Sequence, residues 1–323
     1  MSPSDESGLH PRSVEIRTHQ ESIPMPLLVV GSIAFDTIHT PHGSAERVLG
    51  GSASYFSVVA SHFTNPRLVG VVGSDFPQAN IDLFTARGVD IRGLTKTDGD
   101  TFFWEGEYHR DMNTRTTKAI KLGVFEHFKP KLPAEYKDSK FVFLANSSPD
   151  TQASVLDQVA RPELVVADTM DFWINHHREP LLRLLPRLDG LMLNDSEAML
   201  LTGESNLVRA GHAVRKLGPG FVILKKGEHG AMLFSDDGVF VVPAFPTETV
   251  VDPTGAGDSF AGGIMASLAA EPERKAGRLR RAMAYGTVVA SLTVEGFGLD
   301  RLRITSKQEI DARLDQYRQM LAF

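Results

Sequence analysis

The sequence predicts an α/β fold: a doubly wound, mostly parallel sheet with helices on both faces. Three observations predict it. Short apolar runs recur at residues 27–30, 68–72, 141–145, 164–167, 191–193 and 221–224, and runs this apolar mark strands buried on both faces. Stretches of helical length lie between most of them, and strands alternating with helices argue for parallel pairing. Several runs stop at a glycine or a polar residue, where open α/β sheets form their ligand crevice. At 323 residues the chain has room for one large α/β domain or two ordinary ones.

Residues 1–25 include MSPSDESGLHPRSVEIRTHQ, polar and acidic where a signal peptide needs an apolar core. They read as a flexible extension, with the folded domain over 26–323. The run Leu27 to Val30 is the first buried strand, and Asp36 follows it closely. An acid just past a parallel strand sits where such sheets bind ligands; a solvated loop acid fits the same position. Gly50-Gly51-Ser52-Ala53-Ser54-Tyr55 leads into a helical stretch from Phe56 to His62. Paired glycines let backbone approach a ligand, and they suit a flexible loop equally well. An amphipathic helix from Asn80 to Arg87 stops at Gly88.

From Thr101 to Phe125 the pattern changes. Phe102, Trp104, Gly106 and Tyr108 alternate with Phe103, Glu105, Glu107 and His109. This is strand-like, with Asp111 to Arg115 as its turn. Asn146 and Asp168 fall at strand ends, where they fit turn formation or a polar role in a cleft. Asn194-Asp195-Ser196-Glu197 opens a helix after a strand, so Asn194 or Asp195 can cap it, and acids suit its dipole. Residues 224–230, LKKGEHG, join two strands, with Lys225 and Lys226 on opposite faces. After a charged, exposed connector at 271–277, helices are expected at 279–292 and 306–321, the first ending at Glu295-Gly296-Phe297-Gly298.

The most informative stretch is residues 250–263, VVDPTGAGDSFAGG. Two β-branched residues end a run, Asp252-Pro253-Thr254 turns the chain, and Gly255-Ala256-Gly257 carries almost no side chain. Asp258 then opens a helix with Ala261, Gly262, Gly263 and Ala266, small residues that let a helix sit close to a sheet. A glycine loop feeding a helix start turns unpaired N–H groups outward and makes an anion site. An acid beside such a site is out of place if the site only binds anions. It fits if the acid takes a proton from a nucleophile attacking a phosphoryl group held there. A glycine-rich turn with Asp258 as N-cap is the plainer alternative.

Taken together, these stretches resemble the ribokinase, or PfkB-type carbohydrate kinase, family over about residues 27–300. Within it the likeness is to prokaryotic nucleoside (adenosine-type) kinases, carried by GSIAFDTI, YHRDMNTR, LNDSEAMLLTG, LKKGEHGA and PAFPTETVVDPTGAGDSFAGG. The resemblance implies a ribokinase-like fold with a small β lid, segments 36–50 and 101–125, over the acceptor. It implies transfer of the γ-phosphoryl group of ATP to the 5′-hydroxyl of a ribonucleoside. A sugar kinase acting on ribose or fructose is the alternative, and a non-catalytic ligand-binding protein the remoter one. Asp258 would be the base, and the amides of Gly255, Ala256 and Gly257 would hold the developing charge. Asp36 would grip two hydroxyls, as an acceptor-only carboxylate can. Gly50, Gly51, Ser52 and Asn113 would line the acceptor site, and Asn194, Lys225, Gly227, Gly230 and Gly257 the ATP site. Glu197 would order Mg²⁺ through water, and Asp252 and Thr254 would flank a monovalent cation such as K⁺. The family often has Asn where this chain has Tyr55 and Thr where it has Lys225; the lysine would add a point charge for phosphate. The lid aromatics, with Phe35, suit stacking on a base; packing of lid on body, or of two lids in a homodimer, suits them as well.

Composition narrows the field. A net charge of −6 gives no basic footprint for nucleic acid. With no cysteine, disulfides, thiolate zinc sites and cysteine nucleophiles are excluded. The eleven histidines show no metal-ligand spacing with acids. No apolar run approaches the ~20 residues of a membrane span, so the expected setting is the cytoplasm. GxxxxGK[ST] is absent from the chain, against a P-loop kinase.

Overall fold

The structure, a computed structural model, describes residues 24–271 and 277–322. Most of the expected extension (1–23) and residues 272–276 of the connector lie outside the described residues. Met25, assigned to the extension, belongs to the domain: its N–H donates to the Ala269 carbonyl at 2.9 Å.

The strands are β1 (Leu27–Val30), β2 (Ala34–Thr40), β3 (Gly43–Gly50), β4 (Arg67–Val72), β5 (Asp90–Lys96), β6 (Phe102–Tyr108) and β7 (Arg115–Lys121). They continue with β8 (Phe141–Leu144), β9 (Leu164–Asp168), β10 (Gly190–Asn194), β11 (Phe221–Lys225), β12 (Ala231–Ser235) and β13 (Gly238–Val242). The helices are α1 (Ser52–Ala60), α2 (Gln78–Ala86), α3 (Pro149–Leu156), α4 (Asp171–His176), α5 (Arg178–Leu184) and α6 (Asp195–Thr202). After them come α7 (Leu207–Lys216), α8 (Ala256–Ala270), α9 (Arg278–Thr293), α10 (Asp300–Ile304) and α11 (Lys307–Leu321).

The large sheet runs β13-β12-β11-β10-β9-β8-β1-β4-β5. It is parallel from β5 to β11 and antiparallel at β12 and β13. Strand alternation splits its apolar residues between two cores. Leu27 and Val29 of β1 face one, with α1, α8, α9 and α11; Leu28 and Val30 face the other, with α5, α6 and α7. The order of strands reverses at β1, which has β4 on one side and β8 on the other. At such a reversal the carboxyl ends of the strands open a crevice.

The second sheet runs β3-β2-β6-β7 and fits the expected lid. In it Asp36 pairs with Trp104 in parallel, and Tyr108 with Arg115 across the β6–β7 hairpin.

Two local readings change. Helix α1 starts at Ser52, not Phe56, because Ser52, Ala53 and Ser54 are buried despite weak apolar character. Two glycines of α8 serve helix contacts as well: a Cβ on Gly262 would press the Phe56 backbone of α1, and one on Gly263 would press Gly286 of α9.

Candidate active site

Asp36 lies on β2 and is 5% exposed. A Cβ on Gly50 would overlap its carboxylate, so the glycine is what admits the acid. The Gly51 amide bonds that carboxylate. Burial, helped by the charges of Asp252 and Asp258, pushes the Asp36 pKa up to about 8. Trp104 shares its face of the small sheet as its parallel partner, with Arg115 over the indole at 5.9 Å. The buried Tyr108 meets Thr254 Oγ1 through its hydroxyl at 3.3 Å. Phe35 points the other way and packs on Phe76 in the core, ring centres 5.7 Å apart, which removes it from the acceptor side.

The loop before α8 has Gly255 as N-cap at φ 75°, a conformation suited to glycine. A Cβ there would also overlap the ring of Tyr55. The Tyr55 hydroxyl is buried without a hydrogen-bond partner among the described residues. The Ala256 amide already donates to the Pro253 carbonyl at 3.2 Å and the Asp258 amide to its own carboxylate, which leaves Gly255 and Gly257 as the candidate anion-facing donors of this loop. Asp258 is not the N-cap, and its carboxylate bonds its own amide. Burial pushes its pKa up to about 7; Asp168 adds to the rise, and Lys225 and Arg115 oppose it. An acid with a pKa near the working pH is what a general base requires.

Three neighbouring strand ends deliver the next group. Asn194 of β10 lies beside Lys225 of β11, and Asp168 ends β9 on the other side. Asn194 and Glu197 form a full capping box: Asn194 Oδ1 accepts the Glu197 N–H, and Glu197 Oε2 accepts the Asn194 N–H, both at 2.7 Å. The capping reading is thus correct in geometry, and any role in chemistry comes in addition to it. Burial holds the Glu197 pKa above the usual carboxylate range, with Lys225 opposing. Lys225 Nζ bonds Asp168 Oδ2 at 2.7 Å. Burial works against its charge, but Asp168 and Glu197 outweigh that and keep its pKa high.

Beside this group opens a cavity of about 720 Å³, between the Gly227–Gly230 turn, residues 243–247, Gly257 and the α9 face bearing Thr287 and Ser291. That is nucleotide-sized. Asn113, expected on the acceptor side, lines this cavity. Its Oδ1 lies 2.8 Å from where a Gly227 Cβ would be, because the Asp111 carboxylate folds the lid turn tightly, taking the Asn113 and Thr114 amides. Asp252 accepts the Thr254 and Gly298 amides at 2.8 and 2.9 Å, and the Val294 carbonyl accepts those of Val251 and Asp252. The two loops expected to flank a cation are thereby joined.

Sequence reasoning had left Asp168 between turn formation and a polar role in a cleft, and Tyr108 between stacking on a base and packing. The local signal for Asp168 was an acid at a strand end; the signal for its partner lay on another strand.

Among the described residues no helix is long and apolar enough to cross a membrane. The chain is 28% identical over 249 residues to a cytidine kinase of Thermococcus kodakarensis, covering 75% of this chain and 88% of that protein. It is 29% identical over 290 residues to a nucleoside kinase of Methanothermobacter thermautotrophicus, covering 84% and 90%. Its fold matches the structure of Burkholderia thailandensis nucleoside kinase in complex with inosine, with TM-score 0.75 and 23% identity, over 90% of this chain and 97% of that one. A family model for pfkB family carbohydrate kinases matches residues 26–304, so the chain belongs to that family of phosphotransferases acting on hydroxyl groups.

Proposed function

We propose that the chain transfers the γ-phosphoryl group of ATP to the 5′-hydroxyl of a ribonucleoside. The observation that carries the choice of acceptor is Trp104 beside Asp36 on one face of the small sheet. A diol grip next to a flat apolar surface suits a sugar joined to a base. Relatives named for nucleosides support it.

In this reading Asp36 accepts hydrogen bonds from the 2′- and 3′-hydroxyls, and the sugar reaches toward the α8 loop. The Asp258 carboxylate takes the 5′-hydroxyl proton as that oxygen bonds to the γ-phosphorus. The bond from the γ-phosphorus to the β–γ bridging oxygen breaks, leaving ADP. Amides of Gly255 and Gly257 meet the charge on the transferring group. When bound, Mg²⁺ neutralises phosphate charge. Among the described residues no group of three or more His, Asp or Glu side chains is set to hold a metal. Mg²⁺ keeps several waters and needs few protein oxygens, so the buried Glu197 fits as a holder of its water shell. For K⁺, both Asp252 oxygens are engaged by amides, so backbone carbonyls of the joined loops would be its main ligands.

An acceptor panel in a coupled ADP-release assay tests the reading. Ribonucleosides should be phosphorylated, 2′-deoxynucleosides more poorly, and ribose or fructose more poorly still. A hexose or ribose that outruns every nucleoside would replace it with a sugar kinase. Glu197→Gln keeps a capping box, so stability should hold while the Mg²⁺ concentration for half-maximal rate rises several-fold. An unchanged Mg²⁺ titration would leave Glu197 as a helix cap alone.

A further inference from the structure

Asp168 touches no reacting group in the scheme above and acts on it only by raising the Asp258 pKa, yet it is firmly held. It closes β9 and is 4% exposed. Gln152 of α3, 2% exposed, fixes it from behind. The Gln152 Nε2 donates to the carbonyls of Asp168, Leu144 and Ala145 at 2.9, 3.0 and 3.2 Å, stitching the ends of β9 and β8 together. In front, Asp168 Oδ1 accepts the Thr169 amide at 2.9 Å and Oδ2 accepts the Lys225 ammonium at 2.7 Å. Lys225 comes from β11, two strands away. Its Nζ stands 3.3 Å from where a Cβ on Gly257 would be. A line of contacts therefore runs from Gln152 through Asp168 and Lys225 to the anion-facing glycine.

A buried ion pair is a poor route to stability, because desolvating two charges often costs more than their attraction returns. A lysine on its flexible four-carbon stem, left alone, would swing to water. It would also meet rival acids: Asp168 faces it from β9, Glu197 from α6 and Asp258 from α8. Paired with Asp258, it would bind the base and weaken its hold on a proton. We propose that Asp168 is a positioning residue, whose carboxylate holds the Lys225 ammonium beside Gly257 so that a fixed cation faces the phosphate chain of ATP and stays off Asp258.

The proposal rests on reading this loop as the phosphate site. Its test is a double-mutant cycle with two readouts. One is calorimetric binding of a non-hydrolysable ATP analogue with Mg²⁺, without acceptor. The other is steady-state kinetics with the best acceptor of the panel. Asp168→Asn, close in shape and able to keep the Thr169 contact, should weaken analogue binding and lower kcat/KM for ATP by roughly 10- to 100-fold, the loss of one charge-assisted contact. KM for the acceptor should stay within roughly twofold. Lys225→Met should lose at least as much, and adding Asp168→Asn to it should cost nothing more. Melting temperatures check folding: the double variant, with neither charge left buried and unpaired, should melt above both single variants. An equal loss from Asp168→Asn in both backgrounds would overturn the proposal in favour of a direct action on metal or base. Unchanged ATP affinity and kinetics in folded Asp168→Asn would overturn it too. A wild-type protein that does not bind the analogue would sink the reading of the loop, and the proposal with it.

Discussion

Asp258→Asn should lower kcat by roughly 10²–10⁴, the usual loss for a general base, while nucleotide still binds. The asparagine keeps the shape and removes the proton acceptor. The wild-type pH profile should carry the same signature. Burial puts the Asp258 pKa at about 7, and the base works only when ionised, so kcat/KM should rise with pH through that value and the variant should lack this limb. Stability should run the other way. The folded state binds this proton more tightly than the unfolded chain does, so the stabilising contribution is complete below the ordinary carboxylate range and is lost as pH rises through about 7. Relative to wild type, Asp258→Asn should therefore gain melting temperature at pH 8 compared with pH 5. Wild-type turnover in a folded Asp258→Asn protein would exclude Asp258 as the base.

Asp36→Ala should cost roughly 10²–10⁴ in kcat/KM for the nucleoside. Above about pH 8, where Asp36 is ionised, the substitution removes two hydrogen bonds to a charged group at ~1.5–3 kcal/mol each. The loss should be far smaller for a 2′-deoxynucleoside, which has already forfeited one of the two. Binding of ATP in the absence of acceptor should change little, because the cavity proposed for ATP does not include Asp36. If ribo- and deoxyribonucleosides lose equally, the carboxylate is not gripping the diol.

Much of the fold was legible because its signals are local. A parallel strand buried on both faces is a run of apolar residues wherever it stands, and a glycine loop before a helix keeps its spacing in any context. The less legible parts depended on burial or distance. β5 reads DIRGLTK, charged and half-exposed because it is the sheet's edge, and no apolar run announces it. The start of α1 is serine and alanine, buried for the fit of helix on helix. Asp36 was found from its place after β1, but the choice between Phe35 and Trp104 as its flat neighbour waited on which residues share its face. The Asp168–Lys225 bond joins residues on strands separated by β10, and that neighbourhood exists only once the sheet order is set.

In the proposed reading the small sheet belongs to both substrates at once. Its strand β2 carries Asp36, and the turn between β6 and β7 places Asn113 in the wall of the nucleotide cavity. Whatever seats the acceptor in Asp36's grip therefore also helps to build a surface that the nucleotide meets. Linkage makes such an arrangement reciprocal: the factor by which one ligand tightens the other is the same in both directions. If both sites are as proposed, the cover would act as a thermodynamic courier between two molecules held in separate sites, apart from the chemistry at the mouth of α8.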